Sequence, residues 1–182
     1  MKMKRVWTRQ HSNILDVLEK DGRYIVKREY IEQENEDTAG FFIEAYSWYT
    51  RQAGKIVAKP ADVQFPVWVT LSEHSKMLPV INTVYLELLL PDGLIIPIDM
   101  EKWSRILNYE YIASDGRDQK RHADMLKQYG CSADAAAFMS NRYPAIKEEI
   151  QDSWAGVFEP GTTPTTGTIW EIRKEWIIKI NM

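Results

Sequence analysis

We predict an α+β fold in which helices surround a mainly antiparallel central sheet, either whole or split, because three features of the sequence agree. Short runs rich in β-branched and aromatic residues alternate with helical patterns. Hairpin-like connections outnumber strand–helix–strand crossovers, which argues against a doubly wound parallel sheet. The composition, 45% hydrophobic and 27% charged, is that of a globular protein. The length fits a single domain spanning residues 1–182.

The clearest pattern lies in residues 83–108. Two apolar runs, 84–90 and 94–98, flank Pro91-Asp92-Gly93, which is a turn signal between strands. Asp99 then occupies a helix N-cap position, ahead of apolar residues at helical spacing. We therefore predict strand, tight turn, strand and capped helix, with the two strands forming a hairpin at the centre of the sheet.

The other elements follow from periodicity and from the residues that end helices and strands. An opening strand, a helix with Gly22 just past its end, and a second strand occupy residues 5–27. An aromatic helix at 39–52 precedes a strand at 65–71, where Pro66 indicates a strand start or a sheet edge. The later elements are helices at 120–129, at 132–140 and from 144 to 154 or 158, a Thr/Pro/Gly loop at 159–167, and strands at 168–173 and 176–180.

Charge and cysteine content exclude several classes of function. The net charge is −3 and the pI about 5.7, so there is no strong electrostatic signal for nucleic-acid binding. Cys131 is the only cysteine, which excludes an intramolecular disulfide and favours a reducing compartment. The first residues lack the apolar run of a signal peptide, and no stretch reaches the roughly 18 apolar residues of a membrane span. We expect a cytoplasmic protein that does not bind membranes.

No motif of high specificity for metal, phosphate or nucleophilic chemistry occurs. The three histidines, at positions 11, 74 and 122, have no paired ligand spacing, so no metal site is predicted. Neither glycine-rich phosphate-binding motif is present, and there is no G-x-S-x-G sequence. Cys131 is better explained as an ordinary small side chain than as a nucleophile.

The aromatic residues, which include 7 Trp and 9 Tyr, allow two interpretations: a core of large side chains, or an aromatic-lined pocket. Thr8 and Gln10 lie two apart, so they share one face of the first strand and could hydrogen-bond a sugar or an amide. Tyr46 and Tyr49 from the aromatic helix and Trp68 from the next strand could supply flat apolar walls. We predict a ligand pocket between these three elements.

Glu171 is the one carboxylate whose context stands out, because it lies in a predicted strand directly after the Thr/Pro/Gly loop. A carboxylate there could orient a ribose hydroxyl or stabilise a cationic transition state. It could equally be the outward-facing member of an alternating strand, with Ile169 and Arg173 on the same face. The sequence favours the second explanation and leaves the first open.

Scattered aromatic anchors across nearly the whole chain carry a family resemblance. They are Val6-Trp7-Thr8-x-Gln10, Tyr46-x-Trp48, Pro66-x-Trp68, the W-x-x-x-L-N run at 103–108, and Thr168-x-Trp170-Glu171. In these anchors the chain resembles a family of bacterial and phage proteins that carry a domain of unknown function. That resemblance implies the fold class and no particular activity.

The opening strand–helix–Gly–strand also resembles the entry to ADP-ribosyltransferase-type folds. This second resemblance implies NAD as the substrate that is held and cleaved. It gives Thr8 or Gln10 the nicotinamide-side ribose, makes Tyr46 and Tyr49 walls of the nicotinamide site, and makes Glu171 the catalytic residue. Similarity at the level of the fold is a weak argument for function. The first strand also lacks His-x-Thr, and Glu171 has no Glu or Gln two residues before it.

We therefore expect a non-catalytic binding protein whose aromatic-lined pocket holds a nucleotide or a protein partner. The alternative is an ADP-ribosyltransferase-like enzyme that uses NAD, in conflict between phage and bacteria. The sequence leaves the ligand, the presence of catalysis and the oligomeric state open.

Overall fold

The computed structural model describes residues 2–29, 39–75, 80–140 and 142–181, with the helical backbone alone at 39–42. The chain forms two compact units, Met1–Pro97 with Thr162–Met182, and Ile98–Gly161. Strands dominate the first and helices the second, which confirms the α+β prediction. Within the described ranges, no helix combines the length and apolar character that crossing a bilayer requires.

The first unit is built on a six-stranded sheet in the order β5-β6-β3-β1-β4-β8. The strand pairs β1–β3, β1–β4, β3–β6 and β4–β8 are antiparallel. The strands of this sheet are β1 (Met3–His11), β3 (Val67–Thr70), β4 (Thr83–Pro91), β5 (Ile96–Ile98), β6 (Thr166–Ile169) and β8 (Ile177–Asn181). The predicted mainly antiparallel sheet is therefore confirmed.

The predicted hairpin between β4 and β5 is wrong, although both strands exist. β4 pairs along its whole length with β1 on one side and over residues 85–88 with β8 on the other, while β5 pairs with β6. A short 3₁₀ segment at Asp92–Leu94 replaces the tight turn. Two-residue hairpin turns need positive φ at a central position, and neither Asp92 nor Gly93 has it. The chain therefore leaves β4 and enters the sheet at its opposite edge, beside β6.

The two faces of the sheet carry different helices. Directly paired residues of antiparallel strands project from the same face. Val6 pairs with Leu88, and both join an apolar core that includes Ile14 and Leu18 of α1 (Ile14–Asp21). On the opposite face, the Tyr49 hydroxyl of α2 (Ala39–Ile56) contacts the Thr168 hydroxyl. The sheet is thus covered by α1 on one face and by α2 on the other.

A second, two-stranded sheet interrupts the predicted strand at 168–173. Its antiparallel strands are β2 (Arg23–Tyr24) and β7 (Ile172–Arg173). Between β6 and β7 the backbone leaves the strand conformation at Trp170 and Glu171. The Trp170 indole is buried there and donates to the Val57 carbonyl at 2.9 Å. Burial of this ring, and not continued strand pairing, therefore determines the path of the backbone between β6 and β7.

The second unit is helical. Asp99 caps α3 (Met100–Leu107), as predicted, by accepting from the Glu101 and Lys102 backbone N–H groups at 3.0 and 3.1 Å. Asp115 caps the next helix in the same way and starts it four residues before the predicted position. The later helices are α4 (Gly116–Gln128), α5 (Asp134–Met139) and α6 (Pro144–Ser153), followed by a 3₁₀ segment at Trp154–Phe158.

Candidate functional site

Thr8 and Gln10 lie together, as predicted, but on the α1 face of the sheet. Thr8 pairs with Leu86, and Gln10 with Val84, both members of the core beneath α1. The Gln10 amide donates to the Thr8 hydroxyl, and that hydroxyl donates to the Trp68 carbonyl, each at 2.8 Å. Thr8 is buried, so these contacts extend the pairing of β1 and β3 beyond their backbone ladder.

Tyr46, Tyr49 and Trp68 form an aromatic cluster on the other face. The Trp68 indole donates to the Tyr46 hydroxyl at 3.1 Å, and the two rings meet edge to face. Tyr49 is fully buried, with its hydroxyl 2.6 Å from that of Thr168, and burial raises the pKa of this hydroxyl. The sheet separates this cluster from Thr8 and Gln10, so the five residues do not line one cleft.

Glu171 is buried, and its carboxylate accepts hydrogen bonds from two guanidinium groups. Arg23 and Arg173 each donate through Nε to a different oxygen of its carboxylate. Arg23 also donates to Asp62, with 2.6 Å between Nη1 and Oδ2. The Asp62 carboxylate, acting against desolvation, raises the pKa of Arg23. Glu171 is therefore the buried end of a Glu171–Arg23–Asp62 chain, which links β2 and the residues after β6 to the segment before β3.

A groove of roughly 360 Å³ lies beside the aromatic cluster, on the neighbouring side of α2. We call it the cationic groove. Three of its lining side chains are basic, and no carboxylate among the described residues lines it. Its lining consists of Arg28, Ser47, Thr50, Arg51, Lys59, Val63, Gln64 and Phe65.

The hydrogen-bond donors of the cationic groove are partly committed to the protein. The Lys59 ammonium donates to the carbonyls of Pro60 and Val63, which leaves one of its three N–H donors. The Thr50 hydroxyl is buried and has no hydrogen-bond partner within the described part of the chain. An unsatisfied buried hydroxyl costs stability, which is unusual for a residue with a purely structural role.

A second groove, of roughly 460 Å³, adjoins the first and shares Arg28 and Gln64 with it. We call it the neighbouring groove. It mixes apolar, acidic and basic groups, and its lining consists of Ile25, Val26, Lys27, Arg28, Glu29, Asp62 and Gln64. The Asp62 of the Glu171–Arg23–Asp62 chain therefore borders this groove.

The second unit contains a polar cluster around His122, whose side chain is buried. Its ring nitrogens lie 2.8 Å from Asp134 Oδ1 and 3.1 Å from Glu149 Oε1, and the Tyr111 ring stacks on it. Arg121 donates to Glu149 at 2.9 Å. Although burial opposes it, hydrogen bonds from His122 and Arg121 hold the pKa of Glu149 below its ordinary value. These contacts join α4, α5 and α6, which carry His122, Asp134 and Glu149.

Metal binding finds no support in side-chain geometry. Among residues whose placement is described, no group of three or more His, Cys, Asp or Glu side chains could hold a metal ion.

The cationic groove lies on α2, the helix selected from the sequence, but on a different side of it from Tyr46 and Tyr49. Ser47, Thr50 and Arg51 have the i, i+3, i+4 spacing that places side chains on one helix face. That polar and basic stripe beside the aromatic one was a readable signal. The sequence could not show that Arg28 and Lys59 line the same groove, because this depends on how the segments that carry them pair in the fold.

Comparison with known proteins places the chain in a family. A family model described as a domain of unknown function, DUF3841, matches residues 5–178. No curated protein and no solved structure matches the chain. The matched residues include the aromatic anchors of β1, α2, β3 and β6 that carried the resemblance in the sequence. The chain therefore belongs to the DUF3841 family.

Proposed function

We propose that this protein is a binding protein for a small phosphate-bearing ligand, with a nucleotide as the expected class, and that the cationic groove holds the phosphates. One observation carries the proposal. Among the described residues, three basic side chains and no carboxylate line the groove, next to a buried threonine hydroxyl that lacks a partner there.

The chemistry of the donors supports an anionic ligand. Arg51 offers a planar fork of N–H donors that matches two phosphate oxygens, and Lys59 offers a point charge. A change of the Thr50 side-chain rotamer on binding would turn its buried hydroxyl into the groove, where it donates to a third oxygen and loses its unsatisfied state. The net charge of −3 does not oppose this, because a local basic groove acts over a Debye length of about 8–10 Å.

Binding of a protein partner has less support than binding of a small ligand. The groove is concave and small, and a protein interface needs a patch of about 800 Å² per partner. We therefore rank a small ligand ahead of a protein.

The ADP-ribosyltransferase alternative ranks behind simple binding because of Glu171. A transferase glutamate must present an accessible oxygen to the substrate, whereas Glu171 is buried and both of its oxygens accept from arginines. Incubation with NAD and detection of released nicotinamide tests this alternative. Turnover that is abolished by Glu171→Gln, with folding intact, would restore it.

Titration calorimetry with ATP and with tripolyphosphate, at fixed ionic strength, tests the proposed function. We expect Arg51→Ala to weaken both ligands by roughly tenfold to a hundredfold, since a hydrogen bond to a charged group contributes about 1.5–3 kcal/mol. Lys55→Ala removes an equal charge from the same helix outside the groove and should change affinity less than threefold. Absence of binding to wild type, or equal losses in both variants, would refute the proposal.

A further inference from the structure

We infer that the neighbouring groove holds the sugar of a nucleotide, with Asp62 as the acceptor for its hydroxyl groups and Glu171 as the residue that positions Asp62 through Arg23. This inference rests on the proposed function, because it assumes that phosphates occupy the cationic groove. It adds the ligand class, a nucleoside phosphate with a free ribose diol, and two specificity residues outside the phosphate contacts.

The two grooves lie next to each other and share part of their lining. Arg28 and Gln64 line both, and the Arg28 backbone N–H donates to the Gln64 side-chain oxygen at 3.1 Å. A bridge between Val26 and Phe65 holds the segments that carry these residues side by side. A ligand with phosphates against Arg51 can therefore extend past Arg28 into the neighbouring groove.

The lining of the neighbouring groove differs from that of the cationic groove in a way that suits a nucleoside. Ile25 and Val26 offer apolar contact for a base, while Glu29 and Asp62 are acceptors. Acidic side chains repel phosphate but accept hydrogen bonds from hydroxyl groups. The neighbouring groove thus adds acceptors for a sugar to the basic groups of the cationic groove, with which it shares Arg28.

Asp62 is held ready for this role. Arg23 donates to both of its oxygens, at 2.6 Å to Oδ2 and 3.3 Å to Oδ1. Each carboxylate oxygen accepts more than one hydrogen bond, and the side chain is 59% exposed, so acceptor capacity remains toward the groove. Hydrogen bonding to Arg23 lowers the pKa of Asp62, which keeps it an acceptor at neutral pH.

Glu171 accounts for the orientation of Arg23. The guanidinium group uses Nε toward the buried Glu171 and its terminal nitrogens toward Asp62. Such a two-sided contact fixes the plane of the guanidinium group and, with it, the position of the Asp62 carboxylate. Glu171, the carboxylate that the sequence singled out, is then a positioning residue two side chains away from the ligand.

Titration calorimetry with ATP and tripolyphosphate separates this inference from the proposed function, because only ATP has a sugar. We expect wild type to bind ATP at least tenfold more tightly than tripolyphosphate. Asp62→Ala should reduce this preference at least fivefold, because the contact with the sugar is lost while the apolar contact with the base remains. Asp21→Ala, which removes an exposed acid elsewhere in the same unit, should leave the preference unchanged. Removal of a negative charge strengthens the binding of both ligands together. The ratio of their dissociation constants therefore isolates the contact between Asp62 and the sugar.

Glu171→Gln tests the positioning role. This variant should lower the preference for ATP over tripolyphosphate at least threefold, while its affinity for tripolyphosphate stays within twofold of wild type. A variant that had lost its fold could not produce this result. Equal affinities of wild type for the two ligands, or a preference that survives Asp62→Ala, would overturn the inference and leave the proposed function standing. If neither ligand binds wild type, both fail.

Discussion

The buried hydroxyl of Thr50 lowers the stability of the free protein, whereas in our proposal it contributes to ligand binding. Its side chain is 8% exposed and its hydroxyl has no partner among the described residues, so the hydroxyl was desolvated without compensation. Replacing such a group with an apolar one of the same shape removes the penalty. A ligand that accepts from this hydroxyl would offset the cost only when bound.

Thr50→Val should therefore stabilise the free protein by about 1 kcal/mol and weaken phosphate binding. Valine and threonine have similar helix propensities, so α2 itself is little affected. Urea denaturation and calorimetry with tripolyphosphate measure the two effects. Thr50→Ser, which keeps the hydroxyl, should retain binding. A valine variant that is less stable, or that binds as tightly as wild type, would contradict this role.

His122→Ala should destabilise the protein by about 3 kcal/mol, because it removes a buried ring that contacts Asp134 and Glu149 and leaves a cavity in its place. Loss of the stacked contact with Tyr111 adds to the cost. His74→Ala, at an exposed position, should change the free energy of unfolding by less than about 0.5 kcal/mol. Similar stability of the two variants in urea would show that the cluster does not hold the unit together.

Asp118 predicts how stability depends on pH. The Ser114 backbone N–H, then Arg121 and Tyr111, lower the pKa of Asp118 from 3.8 to about 2. A lowered folded-state pKa contributes stability above the unfolded pKa, and that stability disappears as pH falls from about 4 to about 2. The free energy of unfolding should thus decrease across this window, and less steeply in Asp118→Asn. Asp124→Asn, on the same helix, should keep the wild-type slope.

At the scale of elements, Gly167 explains how β5 reaches β6. A Cβ at this position would lie 2.9 Å from the Ile96 carbonyl oxygen and 3.3 Å from the Ile95 side chain. Gly167→Ala should cost about 1–3 kcal/mol, because backbone must move to admit the methyl group. Gly161→Ala meets nothing within 4 Å and is the matched control. Chemical denaturation compares them, and an unchanged Gly167 variant would mean that the two strands separate easily.

The sequence predicted most elements but not their neighbours. Apolar runs and Pro91-Asp92-Gly93 located β4 and β5, since strand formation depends on local side chains. β4 and β5 are not neighbours in the sheet because β4 pairs with β1 and β8. Those strands lie up to about ninety residues away in the chain. The same limit applied to the site. Alternation located Thr8 and Gln10 on one strand face, but only the register with β4 showed that this face lies beneath α1.

At the scale of the molecule, the candidate ligand site and its supports lie within the first unit. α2, the segment before β3 and the Glu171–Arg23–Asp62 chain all belong to it, whereas the His122 cluster belongs to the second unit. Composition could not reveal this division, because the net charge averages a basic groove with acidic surfaces elsewhere. The second unit has a groove of its own, lined in part by Asp99, Lys102 and Arg105, which is the natural competitor for an anionic ligand.

Mapping of ATP binding by backbone amide chemical shifts tests the central claim most directly, because it reports where the ligand lies. We predict that saturable shift changes concentrate at residues 47–51 of α2 and at 59–65, with Asp62 and Gln64 among them. The amides around Lys102 and Arg105 should remain unchanged. Changes confined to the second unit, or shifts that grow linearly with ATP without saturating, would contradict a phosphate site in the cationic groove.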